Sequence, residues 1–268
     1  ITVFADMGLP IISPTATDET LPQLSPMVIQ ANPAFSNRGK VMANFARNFH
    51  GITKIGMLYN KEGYSAHLAE SFKEEFERLG GKVTYIKTYN NKDLKDAKLE
   101  AMVEDLEESS VAFDGLYIPV SDVKHANAVN EQLKDLVYSK NVYGNQDWLL
   151  SDVFSDPAPF LSAVYVDSDY YLDISEPGYQ KMNKEFYDLT GYLFDRNPLY
   201  GYDATTMFIK LLEKNNYDTA ALMSEIATGI DHDGLKGKIV LDARRTNLSL
   251  NILQYTFGRF SLFLKLKI

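Results

Sequence analysis

The sequence predicts an α/β protein built on parallel sheets, and three observations carry that prediction. Strand-like and helix-like runs alternate from Lys54 to Gly144. The helical runs each carry one apolar face, and the first stops at Gly80-Gly81, where a helix C-terminus favours glycine. A mainly helical stretch then gives way to strand patterning from Gly237 onward. Strand, helix, strand, helix at this spacing means parallel strands joined by right-handed crossovers, with ligands taken at the strands' carboxyl ends.

Taken in order, Ile1, Val3, Phe4 and Met7 read as the tail of an amphipathic helix, so an N-terminal piece is expected before Ile1. Ile11-Ile12 is a short buried strand between Pro10 and Pro14, which lack donor N–H groups and keep it brief. The segment Thr15-Ala16-Thr17 then offers hydroxyls and backbone N–H groups with little side-chain bulk. It suits close approach by a ligand, and it suits equally a loop that caps the next helix. Asp18–Pro22 is a turn, Met27–Ala31 a second strand, and Asn32–Asn37 a turn before a helix over Lys40–Asn48.

The clearest unit follows: strand Lys54–Asn60, a helix from Ser65 with Ala69, Phe72, Phe76 and Leu79 on one face, and strand Val83–Tyr89. Leu94–Glu108 is an acidic amphipathic helix, Phe113–Val120 a strand, Ser121–Tyr138 a helix and Asn141–Gly144 a strand. Ala163–Asp167 is a further strand. Helices follow over Tyr179–Thr190, Asp203–Lys214 and Thr219–Thr228, and strands over Gly237–Asp242 and Leu250–Phe257. Phe260–Leu264 closes a hairpin.

Composition narrows the function. Of 268 residues, 45% are hydrophobic and 24% charged, which supports an ample core. A net charge of −9, with Lys and Arg scattered, argues against nucleic acid, which needs a concentrated basic surface. No cysteine is present, so disulfides, thiolate metal sites and cysteine nucleophiles are excluded. No apolar stretch reaches the eighteen or so residues of a membrane-spanning helix. The four histidines, His50, His67, His125 and His232, lack metal-site spacing and read as surface or loop residues. Asp231-His232-Asp233-Gly234 reads as a polar turn. No nucleophile elbow, phosphate loop or dinucleotide fingerprint occurs, so no catalytic residue, cofactor or metal is expected.

What recurs are hydroxyl, amide and aromatic side chains just after strands: Tyr64, Ser121 with Asp122, Gln146 with Asp147, and Tyr202 opening a late helix. Together with Thr15–Thr17 they suit a cleft that holds a small polar molecule without reacting with it.

The ordered pattern Ile12-Ser13-Pro14-Thr15-Ala16-Thr17, Gly39–Ala43, Ile55–Asn60 followed by Tyr64, Leu68–Phe76 and Leu79–Val83 resembles the periplasmic ligand-binding proteins of ABC transporters of the branched-chain amino acid type. Gly201-Tyr202-Asp203-Ala204 and Phe257-x-x-Phe260 fit the same family. The resemblance implies two Rossmann-like lobes with parallel sheets joined by three crossing segments, the first lobe truncated at its N-terminus. Lobe I would comprise about residues 1–34 and 168–249, and lobe II about 35–167 and 250–268. It implies ligand contacts at Thr15, Ala16, Thr17, Tyr64 and Tyr202. The family's lobe II aromatic falls at Ser121 or Asp122, and its ammonium-binding acid at Gln146, one place before Asp147. These departures point to a small amino acid or carboxylate, and not specifically to leucine. The implied partner is an ABC transporter membrane permease, and the implied location is periplasmic or extracellular, with or without a lipid anchor on the precursor. Two alternatives stand beside it: a non-transport lipoprotein or sensory receptor domain, and an α/β enzyme.

Overall fold

The computed structural model describes residues 2–95, 97–133, 140–155, 163–256 and 258–267. In chain order these form α1 (Thr2–Asp6), β1 (Ile11–Ser13), β2 (Val28–Pro33), α2 (Phe35–Asn44), β3 (Lys54–Asn60), α3 (Tyr64–Arg78), β4 (Lys82–Tyr89), α4 (Ala97–Glu108), β5 (Gly115–Tyr117), α5 (Val123–Leu133), β6 (Asn141–Gly144) and β7 (Val164–Ser168). There follow α6 (Pro177–Thr190), α7 (Arg196–Lys214), α8 (Thr219–Ala227), β8 (Ile230–Asp233), β9 (Lys238–Leu241), β10 (Thr246–Asn247), β11 (Ser249–Thr256) and β12 (Arg259–Lys267). The chain divides into two compact units, one of Ile1–Ala34, Asp169–Ser249 and Lys267–Ile268, the other of Phe35–Ser168 and Leu250–Leu266.

In the second unit the sheet order is β12-β11-β7-β6-β5-β3-β4. From β4 to β7 every neighbour is parallel, and β11 joins β7 antiparallel. Alternation along β3 shows how the sheet is used on both faces. Ile55 and Met57 join one core cluster with Val41, Met42 and Phe45 of the α2 segment and Phe72 and Phe76 of α3. Gly56 points the other way, where a Cβ would meet the Phe113 ring at 3.0 Å. The helices α2 and α3 pack so closely that a Cβ on Gly39 would lie 2.6 Å from the Leu68 carbonyl oxygen and 2.7 Å from the Phe72 nitrogen.

In the first unit the order is β1-β2-β10-β9-β8, parallel from β1 to β10 and antiparallel beyond. Met207 and Leu211 of α7 and Leu222 and Ile226 of α8 cover Ile29, Ile239 and Leu241 of this sheet. Both sheets are therefore parallel-rich, with antiparallel strands added at one side.

Several sequence expectations differ locally from the structure. No turn spans Asn32–Asn37: β2 runs to Pro33, and α2 begins two residues later. The helix continues as a π-helix over Phe45–Phe49, where stacking of Phe45 on Phe49 at 5.2 Å favours the wider turn. Residues 231–233 are the strand β8, not a turn, because β9 pairs with them antiparallel. The helix expected from Asp203 starts at Arg196, capped by the Asp195 side chain on the Asn197 N–H. Pro198 is tolerated there because its missing donor falls in the first turn. The helix expected over Ser121–Tyr138 runs from Val123 to Leu133, and its last expected residues, like Phe257, lie outside the described set. Among the described residues no helix is long and apolar enough to cross a membrane.

Candidate ligand-binding site

In the first unit, β1 ends at Ser13 and delivers the small-residue loop at a strand carboxyl end. Thr15 is exposed and Ala16 and Thr17 half-buried. The loop is pinned from beneath: the Asn32 side-chain amide donates to the Thr15 carbonyl at 3.1 Å. The other side of that amide, Asn32 Oδ1, is buried and has no hydrogen-bond partner. Tyr202 lies in the second turn of α7, 43% exposed, with its ring edge-on to Phe194 at 6.1 Å. It does not open the helix, so a helix N-terminus is not presented there.

In the second unit, three strand ends converge. Asn145 binds both backbone groups of Val120, accepting from its N–H at 2.9 Å and donating to its carbonyl at 3.0 Å. This ties the end of β6 to the segment after β5, one residue before Gln146 and Ser121 respectively. The Gln146–Leu150 turn is anchored by Trp148, fully buried, whose indole N–H donates to the Ile118 carbonyl at 3.1 Å. Gly144 makes room for that ring, since a Cβ there would sit 2.8 Å from it.

Beneath these ends lies a buried charge pair that the sequence reading missed. Arg38 of α2 and Asp167 of β7 are both 0% exposed, and Arg38 Nη1 lies 2.9 Å from Asp167 Oδ2. The same nitrogen donates to Gln146 Oε1 at 3.1 Å. The fully buried Tyr117 feels Asp167, Tyr64 and Arg38; burial pushes its phenol well above the ordinary value, with Asp167 and then Tyr64 adding to the rise. Tyr64, at the first residue of α3, is thereby placed in the same cluster. The hydroxyls of Tyr117 and Ser121 are buried without a hydrogen-bond partner.

The two aspartates serve elsewhere. Asp122 is exposed and caps α5, its Oδ1 accepting from the N–H groups of Lys124 and His125 at 2.9 and 3.0 Å. Asp147 accepts from the Asn145 amide at 2.8 Å. Gln146 thus lies against Arg38 and Tyr64 near Tyr117, whereas Asp122 and Asp147 are turned to local hydrogen bonding. Two histidines read as surface residues are enclosed. His125 is buried, with Nδ1 3.4 Å from Tyr89 Oη, and His50 lies 2.8 Å from Tyr143 Oη inside an aromatic cluster. Among the described residues no group of three histidine or acidic side chains is placed to hold a metal ion.

A signal for the missed pair existed. Arg38 falls three and four residues before Val41 and Met42, on the buried stripe of its helix, and Asp167 closes the apolar run Val164-Tyr165-Val166. A charge on an inward face needs a partner of opposite sign.

The family model described as periplasmic binding protein matches residues 1–257. The chain belongs to the periplasmic binding protein family. Solved structures with the same fold include a leucine binding protein from Thermotoga maritima (17% identity, TM-score 0.69, covering 99% of this chain and 75% of that one). They also include a branched-chain amino acid transporter substrate-binding protein from Streptococcus pneumoniae in complex with isoleucine (15%, 0.72, 100% and 75%). A third is an ABC transporter solute binding protein from R. palustris in complex with benzoate (17%, 0.69, 98% and 72%). No curated protein sequence matches significantly.

Proposed function

We propose that this protein is an extracytoplasmic solute-binding protein. It captures a small polar ligand, an amino acid or a small carboxylate, and delivers it to the membrane permease of an ABC transporter. The observation that carries the reading is the cluster of ligand-competent groups at strand carboxyl ends in a chain of this family. The Tyr117 and Ser121 hydroxyls are buried and unpartnered, which costs about 1–3 kcal/mol each until something hydrogen-bonds to them. Thr15, Ala16, Thr17, Tyr64, Ser121, Gln146 and Tyr202 are the proposed contacts. Capture would follow the two-lobed clamp usual for such proteins, in which ligand shifts the population toward the closed form that the permease engages. Structural neighbours solved in complex with isoleucine and with benzoate fit the proposed range of ligands.

The test is a thermal-shift screen of the protein against amino acids and small carboxylates, with native mass spectrometry of the freshly purified protein to identify retained ligand. Ligand at 100 times its Kd should stabilise by about 2.7 kcal/mol. Thr17→Ala and Tyr64→Ala should remove that shift while leaving the unliganded melting temperature near its starting value. No stabilisation by any compound and no retained ligand would count against the reading.

A further inference from the structure

The loop that carries Thr15, Ala16 and Thr17 is held from below by three amide side chains of its own unit. Strand β1 pairs with β2 only as far as Ser13 beside Gln30. The ladder's register runs from the Ile11 N–H to the Met27 carbonyl at 2.8 Å, so its continuation would carry the Thr15 N–H to the Ala31 carbonyl. That carbonyl accepts instead from the Asn247 side-chain amide at 3.2 Å. The Thr15 carbonyl is held by the Asn32 amide at 3.1 Å, and the Asn32 carbonyl by the Gln30 amide, also at 3.1 Å. Among the described residues no hydrogen bond engages the N–H groups of Thr15, Ala16 or Thr17. The loop is therefore fastened by a carbonyl and leaves three consecutive donors uncommitted.

This fastening has a cost in the core. Ile29 packs against α7 and α8, so Gln30 and Asn32 lie on alternate faces from it along β2, 0% and 1% exposed. A backbone carbonyl only accepts, so each amide must turn its nitrogen to the backbone. Gln30 Oε1 and Asn32 Oδ1 are thereby left buried without a partner. An apolar side chain at position 32 would avoid one of these orphaned acceptors, so stability alone does not account for the asparagine.

We propose that Asn32 is a positioning residue for a ligand carboxylate: by holding the Thr15 carbonyl, it keeps the N–H groups of Thr15, Ala16 and Thr17 off the strand ladder and ready for an anionic oxygen. This rests on the solute-binding reading above. Successive backbone N–H groups suit a carboxylate because they bind it without bringing a counter-charge. Asn32 is buried beneath the loop and acts through it.

The experiment takes Asn32→Leu and Asn32→Ala and titrates each with leucine and with benzoate by calorimetry, alongside urea unfolding and the amide resonances of the 15N-labelled protein. With whichever probe binds the wild type, both variants should lose affinity by about tenfold or more, the scale of one hydrogen bond to a charged group. The urea midpoint of Asn32→Leu should match or exceed that of the wild type, since an orphaned acceptor is gone and the exposed Thr15 can give its carbonyl to water. The amide signals of Ala16 and Thr17 should move in both unliganded variants. A loss of affinity that comes with a fallen midpoint in Asn32→Leu and unmoved Ala16 and Thr17 signals would mark a merely structural role and overturn the proposal. Asn32→Ala decides the matter if Asn32→Leu does not fold. A probe that binds the wild type and the folded variants alike overturns this inference alone; failure of both probes, with nothing retained in the purified protein, overturns the solute-binding reading as well.

Discussion

Removing Arg38 while leaving Asp167 in place is the sharpest perturbation this structure offers. Both side chains are 0% exposed, so neither charge is relieved by water when its partner goes. Breaking such a pair from one side costs about 3–5 kcal/mol, because a buried charge is left uncompensated. Against a typical total stability of about 5–15 kcal/mol, that is a fifth or more of what holds a domain folded. Arg38→Met, which keeps much of the side chain's length, should therefore lower stability by about 3–5 kcal/mol. Asp167→Asn should fall at the lower end, because Gln146 Oε1 at 3.1 Å remains as an acceptor for the guanidinium. Arg38→Met with Asp167→Leu removes both charges, and should return to within about 1 kcal/mol of the wild type or exceed it. The assay is urea unfolding followed by Trp148 fluorescence. The single tryptophan lies in the same compact unit as the pair, so it reports that unit. Single variants that each cost under about 1 kcal/mol, or a double variant that costs their sum, would refute the argument.

Three further outcomes are expected. Gly39→Ala sets a Cβ 2.6–2.7 Å from backbone atoms of Leu68 and Phe72, which cannot rotate away. It should cost about 1–3 kcal/mol by chemical denaturation. Gly144→Ala should press on the Trp148 ring at 2.8 Å, moving the emission maximum to longer wavelength and lowering the urea midpoint; an unmoved spectrum would contradict the packing. Burial lowers the pKa of His50, His125 and His232. The unfolded chain therefore takes up these protons near pH 6.5 while the folded chain still refuses them. The stability they confer is present above that pH and lost as pH falls toward the lowered folded values. The melting temperature should drop between pH 8 and 5.5, and less so with glutamine at all three positions.

How much of this was legible in the sequence depends on the range of the interaction involved. The strands Lys54–Asn60 and Asn141–Gly144 were readable residue for residue, because apolar runs closed by Gly or Asn are local signals. The start of α7 was not, since Pro198 and Tyr200 both look like loop residues until Asp195 is seen capping the helix at Asn197. The histidines show the same limit: nothing within a few residues of His125 announces that Tyr89 and Asn60 will surround it.

The candidate site divides along the same line. Thr15–Thr17 and Tyr64 stand out as candidates because strand-end loops and helix starts have local composition. The chemistry of position 146 was not, since it is set by Arg38, 108 positions earlier, and Asp167, on the neighbouring strand. A glutamine read alone is an amide with one donor face and one acceptor face, either of which can meet a ligand. With a guanidinium fixed on its oxygen the choice is made from within the fold. Sequence reading therefore finds candidate positions, whereas the partner that orients an amide at one of them is supplied only by the fold.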